Sequence, residues 1–290
     1  MKELIGTGVA LITPFKDDYS IDFDALARIV EQQIAGGTNY LVVLGTTGES
    51  AVLSSDEKNA VIDCIKTANA GRLPLVLGIG GNNTAEVCHL LKNTDVSGFC
   101  AILSVSPYYN KPNQEGIYQH YKSLCEVTPL PIIIYNVPGR TGMNMTAETQ
   151  LRLAELPQIV ATKEASGNME QVMQIIAKKP TDFLVISGDD SLTLPMMACG
   201  ASGVISVINH AFPVQFSGMV KACLEGQWSE AKSLHYETME SAIAIFADGS
   251  PSGIKTMLHE KGLCGTAVRQ PLWPVNATVE ANLRRLANSL

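Results

Sequence analysis

Eight short runs rich in Val, Ile and Leu recur along this chain with helix-spaced segments between them, and that alternation restricts the possible folds more than any other feature. The runs are Gly8–Thr13, Tyr40–Gly45, Leu75–Ile79, Ala101–Val105, Ile132–Asn136, Ile159–Lys163, Phe183–Ser187 and Gly203–Val207. Between them, Asp22–Ala35, Asp56–Ala70, Thr84–Leu91, Gln114–Cys125, Ala147–Leu156, Met169–Ala177 and Leu192–Cys199 carry helical periodicity. Strands separated by helices pair in parallel, because a parallel neighbour is reached only through a long crossover. Continuous apolar strands are buried on both faces, and eight of them fit closure into an α/β (β/α)8 TIM barrel. A doubly wound open sheet is the competing arrangement. Against it, Gly6-Thr7-Gly8 and Gly78-Ile79-Gly80-Gly81 lack the third glycine of a dinucleotide fingerprint.

Helix starts are expected at Ser55, before Asp56-Glu57, and at Thr146, three residues before Thr149. After Val207 the alternation stops. Trp228–Ile245, Ser252–Glu260 and Thr278–Ala287 read as helices only, which places a catalytic barrel over residues 1–226 and a small helical C-terminal domain over 227–290.

The 290 residues are 46% apolar, enough for a full core. Net charge is −7 and no basic cluster is denser than Arg284-Arg285, which argues against a nucleic-acid partner. The opening MKELIGTGVALITPF reads as a first strand rather than a signal peptide, and no stretch approaches the ~20 apolar residues of a membrane span. Seven scattered cysteines without C-x-x-C suit reduced thiols in a cytoplasmic protein. The sequons at Asn82, Asn144 and Asn276 are chance matches in that setting.

In such a barrel the chemistry lies at the carboxyl ends of the strands. There the sequence places Gly45-Thr46-Thr47-Gly48-Glu49-Ser50, Ser106-Pro107-Tyr108-Tyr109-Asn110, Tyr135-Asn136-Val137-Pro138-Gly139-Arg140, Lys163-Glu164-Ala165-Ser166 and Gly188-Asp189-Asp190. Lys163 is the odd member, because it ends an apolar strand on a face that period-two alternation assigns also to Ile159 and Ala161. An amine among apolar walls is pushed toward its neutral form and can attack a carbonyl. The bland alternatives are a lysine leaning into solvent or paired with Glu164. Tyr135 and Tyr109 offer phenols for proton transfer, with Thr46 or Thr47 as a hydroxyl link, although aromatic packing would also account for the tyrosines. Arg140 offers a fork suited to a carboxylate, or is a surface loop residue. The five histidines are isolated and G-x-S-x-G is absent, so neither a metal nor a serine hydrolase is expected.

The stretches GTTGES (45–50), SPYYNKP (106–112), YNVPGRTG (135–142) and KEAS (163–166) resemble the 4-hydroxy-tetrahydrodipicolinate (dihydrodipicolinate) synthase family over nearly the whole chain. The wider superfamily is that of pyruvate-dependent aldolases, which includes N-acetylneuraminate lyase, and Gly139-Arg140 is the more selective element. The resemblance implies condensation of pyruvate with L-aspartate 4-semialdehyde in lysine and diaminopimelate biosynthesis, without a cofactor. It makes Lys163 the imine-forming residue and Tyr135, Thr46 and Tyr109 a proton relay, with Tyr109 reaching into a partner's site across a tight homodimer within a homotetramer. Thr46 and Thr47 would hold the pyruvate carboxylate, Arg140 that of the semialdehyde, and Gly188 and Ile205 would line the pyruvate pocket. Ser50, Ala51, Asn82, Glu86 and Tyr108 match a lysine-inhibitor site at the dimer interface. Ser55 and Lys58 stand where strongly inhibited relatives carry histidines, and Ser250 replaces an Asn common before the family's proline. A sugar-acid lyase and a non-catalytic 2-oxo-acid sensor are the rival functions.

Overall fold

The computed structural model describes residues 1–290. Its strands are β1 (Gly6–Ala10), β2 (Tyr40–Val43), β3 (Leu75–Gly78), β4 (Ala101–Val105), β5 (Ile132–Asn136), β6 (Ile159–Glu164), β7 (Leu184–Ser187) and β8 (Gly203–Ser206). They pair in parallel, in chain order, and β8 closes on β1. The fold is therefore the closed (β/α)8 barrel. The outer ring is α1 (Phe23–Ala35), α2 (Ser55–Asn69), α3 (Thr84–Asn93), α4 (Gln114–Cys125), the short α5 (Pro138–Thr141), α6 (Ala147–Leu153), α7 (Met169–Lys178), α8 (Thr193–Ala198) and α9 (Pro213–Leu224). Three further helices follow: α10 (Trp228–Ala244), α11 (Ser252–Glu260) and α12 (Ala277–Ala287).

Three sequence expectations need correction. The alternation does not stop at Val207, since α9 completes an eighth strand–helix unit. Its residues Pro213, Phe216, Met219, Val220, Ala222 and Cys223 are all buried, so no polar stripe marks its helical period. Ser54, not Ser55, caps α2: its hydroxyl accepts the Glu57 amide at 3.2 Å while Glu57 accepts the Ser54 amide at 2.9 Å, a reciprocal box. The Thr146 cap is borne out by its bond from the Thr149 amide. Ile159 does not share the face of Lys163. The β5–β6 register shifts between Ile132 and Ile133, so Ile159 joins the layer between sheet and helices while Ala161 joins the barrel interior.

The interior core holds 13 buried residues against 61 in the cluster that packs the helices on the sheet and on one another, so a few bulky side chains decide where the barrel is open. Tyr40 fills the amino end, fully buried, with its hydroxyl donating to the Val204 carbonyl at 3.2 Å. A Cβ on Gly8 would stand 2.2 Å from the Tyr40 ring, which is why glycine sits there. With that end plugged, the two hollows described below are lined mainly by residues at the carboxyl ends of the strands and in the loops that follow them.

Candidate active site

Lys163 and Tyr135 are the penultimate residues of adjacent strands and lie opposite each other in the β5–β6 register. Alternation turns both side chains toward the interior, where they are 5% and 8% exposed. The Lys163 Nζ stands 4.3 Å from the centre of the Tyr135 ring. Burial lowers the Lys163 pKa to about 8, with the Arg140 charge acting in the same direction and Asp190 opposing both. Burial also pushes the Tyr135 phenol up to about 12, so it stays protonated at neutrality. The site thus holds an amine that loses its proton easily beside a phenol that keeps its own.

The pairing of Lys163 with Glu164 does not occur. Glu164 faces the helices, where its carboxylate accepts from Asn136, Gln150, Gln171 and the Ser166 amide. Because a protonated lysine cannot attack a carbonyl, imine formation with a 2-oxo acid is expected to accelerate as pH rises, with a midpoint near 8 rather than at the ordinary lysine value. Rapid-quench trapping between pH 6 and 10 checks this, and a rate still climbing steeply above pH 10 would contradict it.

Around the amine lies a cavity of about 220 Å³. Thr46, Thr47, Arg140, Gly188, Asp189 and Ser250 line it, together with apolar Ala10, Leu103, Val137, Ala165, Val207 and Phe246. Gly188 is a steric necessity: a Cβ there would sit 3.0 Å from the Lys163 Cε and 2.8 Å from the Ala165 Cβ. Ile205 lies in the buried interior cluster with Tyr135 and does not line the cavity. Asp190 turns away from the opening and accepts the Val207 and Ile208 amides at 3.1 and 2.9 Å, tying the turn after β7 to that after β8. Its burial raises its pKa to about 6.

Thr46 and Thr47 sit in a tight turn that ends on Glu49, whose φ of 53° is left-handed. The turn is held by a buried ion pair: Lys255 of α11 donates to Glu49 at 2.5 Å with both side chains 0% exposed. The Arg269 amide donates to the other Glu49 oxygen at 2.9 Å. The segment after the barrel therefore supports the threonine loop, and Phe246 from the same segment reaches the cavity. Neither contribution carries a sequence motif.

Arg140, on α5, has no carboxylate partner within the chain and stands exposed at the rim. Tyr109 does not enter this cavity. It occupies a tight turn with φ 72°, closed by the Asn110 amide donating to the Tyr108 carbonyl at 2.8 Å, which leaves its side chain 88% exposed. Asn82 donates to that same carbonyl at 3.1 Å and Asn110 returns a bond to the Asn82 carbonyl at 3.0 Å, bracing the turn. Ser50, Ala51, Ser55, Lys58 and Tyr108 line a second hollow of about 660 Å³ that shares Thr46, Tyr135 and Arg140 with the first. Asn82 and Glu86 lie outside it. No three His, Cys, Asp or Glu side chains gather as a metal site.

With this geometry in hand, the sequence pattern of the Dihydrodipicolinate synthetase family matches residues 3–290. The chain belongs to that family. It is 57% identical over 284 residues to a 4-hydroxy-tetrahydrodipicolinate synthase of Flavobacterium psychrophilum, covering 98% of this chain and 97% of the relative. The synthase of Parabacteroides distasonis is 51% identical over 288 residues, covering 99% and 97%. Among solved structures, dihydrodipicolinate synthase of Aquifex aeolicus superposes with a TM-score of 0.93 at 40% identity, covering 98% and 97%. The enzyme of Acinetobacter baumannii, a chloride-inhibited form complexed with pyruvate, gives 0.95 at 38% identity, covering 99% and 98%.

Proposed function

We propose that Lys163, Tyr135, Thr46 and a partner-donated Tyr109 carry out the reaction of this family, with Thr47, Arg140 and Gly188 shaping the substrate site. The chain is a 4-hydroxy-tetrahydrodipicolinate synthase, condensing pyruvate with L-aspartate 4-semialdehyde in the biosynthesis of diaminopimelate and L-lysine. The observation that carries the residue roles is the Lys163 amine, easily deprotonated and set over the Tyr135 ring, inside a small cavity whose rim holds an unpaired Arg140.

In the proposed course, the neutral Lys163 amine adds to C2 of pyruvate and water leaves, giving a protonated imine that draws electrons from the methyl carbon. A methyl proton then departs through Tyr135 and the hydroxyl of Thr46, leaving an enamine. Its terminal carbon bonds to the aldehyde carbon, and the new alkoxide takes a proton. The substrate's ammonium group then releases a proton to solvent, and the freed amine attacks the imine carbon, closes the ring and displaces Lys163, which leaves as the free amine. Thr46 and Thr47 hold the pyruvate carboxylate. Arg140 binds that of the semialdehyde, and Asp189 supplies the opposite charge for its ammonium group. A sugar acid has no ammonium group for Asp189 to meet.

The exposed, braced Tyr109 suits a role in the site of a second copy, so a homodimer within a homotetramer belongs to the proposal. So does the lysine-binding role of Ser50, Ala51, Asn82, Glu86 and Tyr108. Ile205 would act from beneath, packed against the floor of the pyruvate pocket. A catalytic unit over 1–226 and a helical one over 227–290 follow from the same reading, the second unit holding the threonine loop through Lys255. No helix is long and apolar enough to cross a membrane. The seven free thiols support a cytoplasmic location.

Replacing Arg140 with alanine is expected to cut kcat/KM for the semialdehyde by on the order of 10²-fold, the loss of a charge-assisted carboxylate contact, while imine formation with pyruvate changes far less. Equal loss in both steps, measured by turnover and by trapping, would mean that Arg140 serves another role.

A further inference from the structure

The strands that carry Lys163 and Tyr135 are joined behind the cavity by a polar cluster that the reaction itself does not use. One residue beyond each, on the opposite face, lie Glu164 and Asn136, which are partners in the same register. They are 1% and 0% exposed. The Asn136 amide nitrogen stands 3.1 Å from both Glu164 carboxylate oxygens. Gln150 of α6 donates to that carboxylate at 2.6 Å, Gln171 of α7 at 3.1 Å, and the Ser166 amide at 2.9 Å. No lysine or arginine pairs with it.

A buried carboxylate without a cation is costly unless its lone pairs are filled, and here neutral amides from β5, α6, α7 and the loop after β6 fill them. Only an acceptor with two oxygens and no N–H of its own can satisfy so many donors at once. Asn136 is fixed in turn, since its carbonyl oxygen accepts the Met145 amide at 2.9 Å. The clamp lies at the last residue pair of β5 and β6, past which a single further backbone bond, from the Ala165 amide to the Asn136 carbonyl at 2.9 Å, joins the two strands.

We infer that Glu164 is a positioning residue for the reaction, its carboxylate locking the ends of β5 and β6 so that the Lys163 amine and the Tyr135 phenol keep their mutual placement. The inference rests on the roles proposed for those two residues. A displacement of about 1 Å between reacting groups costs on the order of 10²-fold in rate, so a clamp one residue away acts directly on catalysis. Substrate binding through Thr46 and Thr47 belongs to a different loop, held by Glu49 and Lys255.

The test compares wild type, Glu164→Gln and Gln171→Met in three measurements corrected for folded fraction. These are the rate of borohydride-trappable adduct formation with pyruvate, the rate of solvent-deuterium exchange into the pyruvate methyl group, and the pyruvate concentration for half-saturation. Glu164→Gln keeps the shape but turns one acceptor into a donor that faces other donors. Both rates should fall between about tenfold and 10²-fold while half-saturation moves by less than about threefold, and Gln171→Met should show a weaker loss in the same two rates. Glu164→Asp should recover part of the loss. Rates within about threefold of wild type in the folded variants, or a rise in half-saturation as large as the loss of rate, would overturn the inference. If Glu164→Gln does not fold, Gln171→Met alone decides by the same criterion. Absence of an adduct in the wild type would instead refute the role of Lys163, so the two failures are separable.

Discussion

Lys163→Met is expected to abolish turnover and, at the same time, to stabilise the fold. The loss of activity should be on the order of 10⁴-fold or more, as for removal of an attacking group whose other machinery stays in place. The gain in stability comes from the burial that makes the amine reactive. Lowering its pKa from 10.5 to about 8 corresponds to about 3 kcal/mol of unfavourable burial. The folded state releases the proton before the unfolded state does, so this cost is fully present below pH 8 and fades as pH rises toward 10.5. Wild-type stability should therefore climb over that interval relative to the variant. Methionine matches the lysine stem and suits the apolar walls of Ala161, Tyr135 and Ile186. Denaturant unfolding of both proteins at pH 7 and pH 10 measures the difference, and a variant less stable than wild type at pH 7 would refute the claim that the amine is held at a cost.

Lys255→Met is the second large effect, and its sign is opposite. Its ammonium group is the cation paired with Glu49, and it donates also to the Ala267 carbonyl at 2.9 Å. Removing it strands a fully buried carboxylate that keeps the Arg269 amide as a donor, a loss of about 3–5 kcal/mol. The double variant Glu49→Gln/Lys255→Met should regain much of that loss, because no uncompensated charge remains. Pyruvate half-saturation should rise in the single variant, since Glu49 ends the turn carrying Thr46 and Thr47. Additive losses in the double variant, measured by denaturant unfolding at matched protein concentration, would show that the two residues are not coupled.

The parts legible in the sequence are those whose physics is local. Strands buried on both faces announce themselves as apolar runs, and Lys163 stands out because a charge at the end of such a run has to be explained. Ile159 departs from the alternation because the β5–β6 register shifts between Ile132 and Ile133, which no local pattern signals. Helix α9 carries little helical signal in the sequence because most of its residues are apolar. Long-range pairings are invisible by nature: Glu49 and Lys255 are 206 residues apart, and nothing near Phe246 signals that it closes the cavity. Glu164 could be seen only as a neighbour of Lys163. Its donors arrive from two helices and another strand.

Borohydride reduction in the presence of pyruvate, followed by peptide mass mapping, bears most directly on the claim that Lys163 captures the substrate. One reduced adduct per chain is expected, on the peptide containing Lys163, and none in Lys163→Met. An adduct on any other lysine, or no adduct in the wild type, would contradict the account.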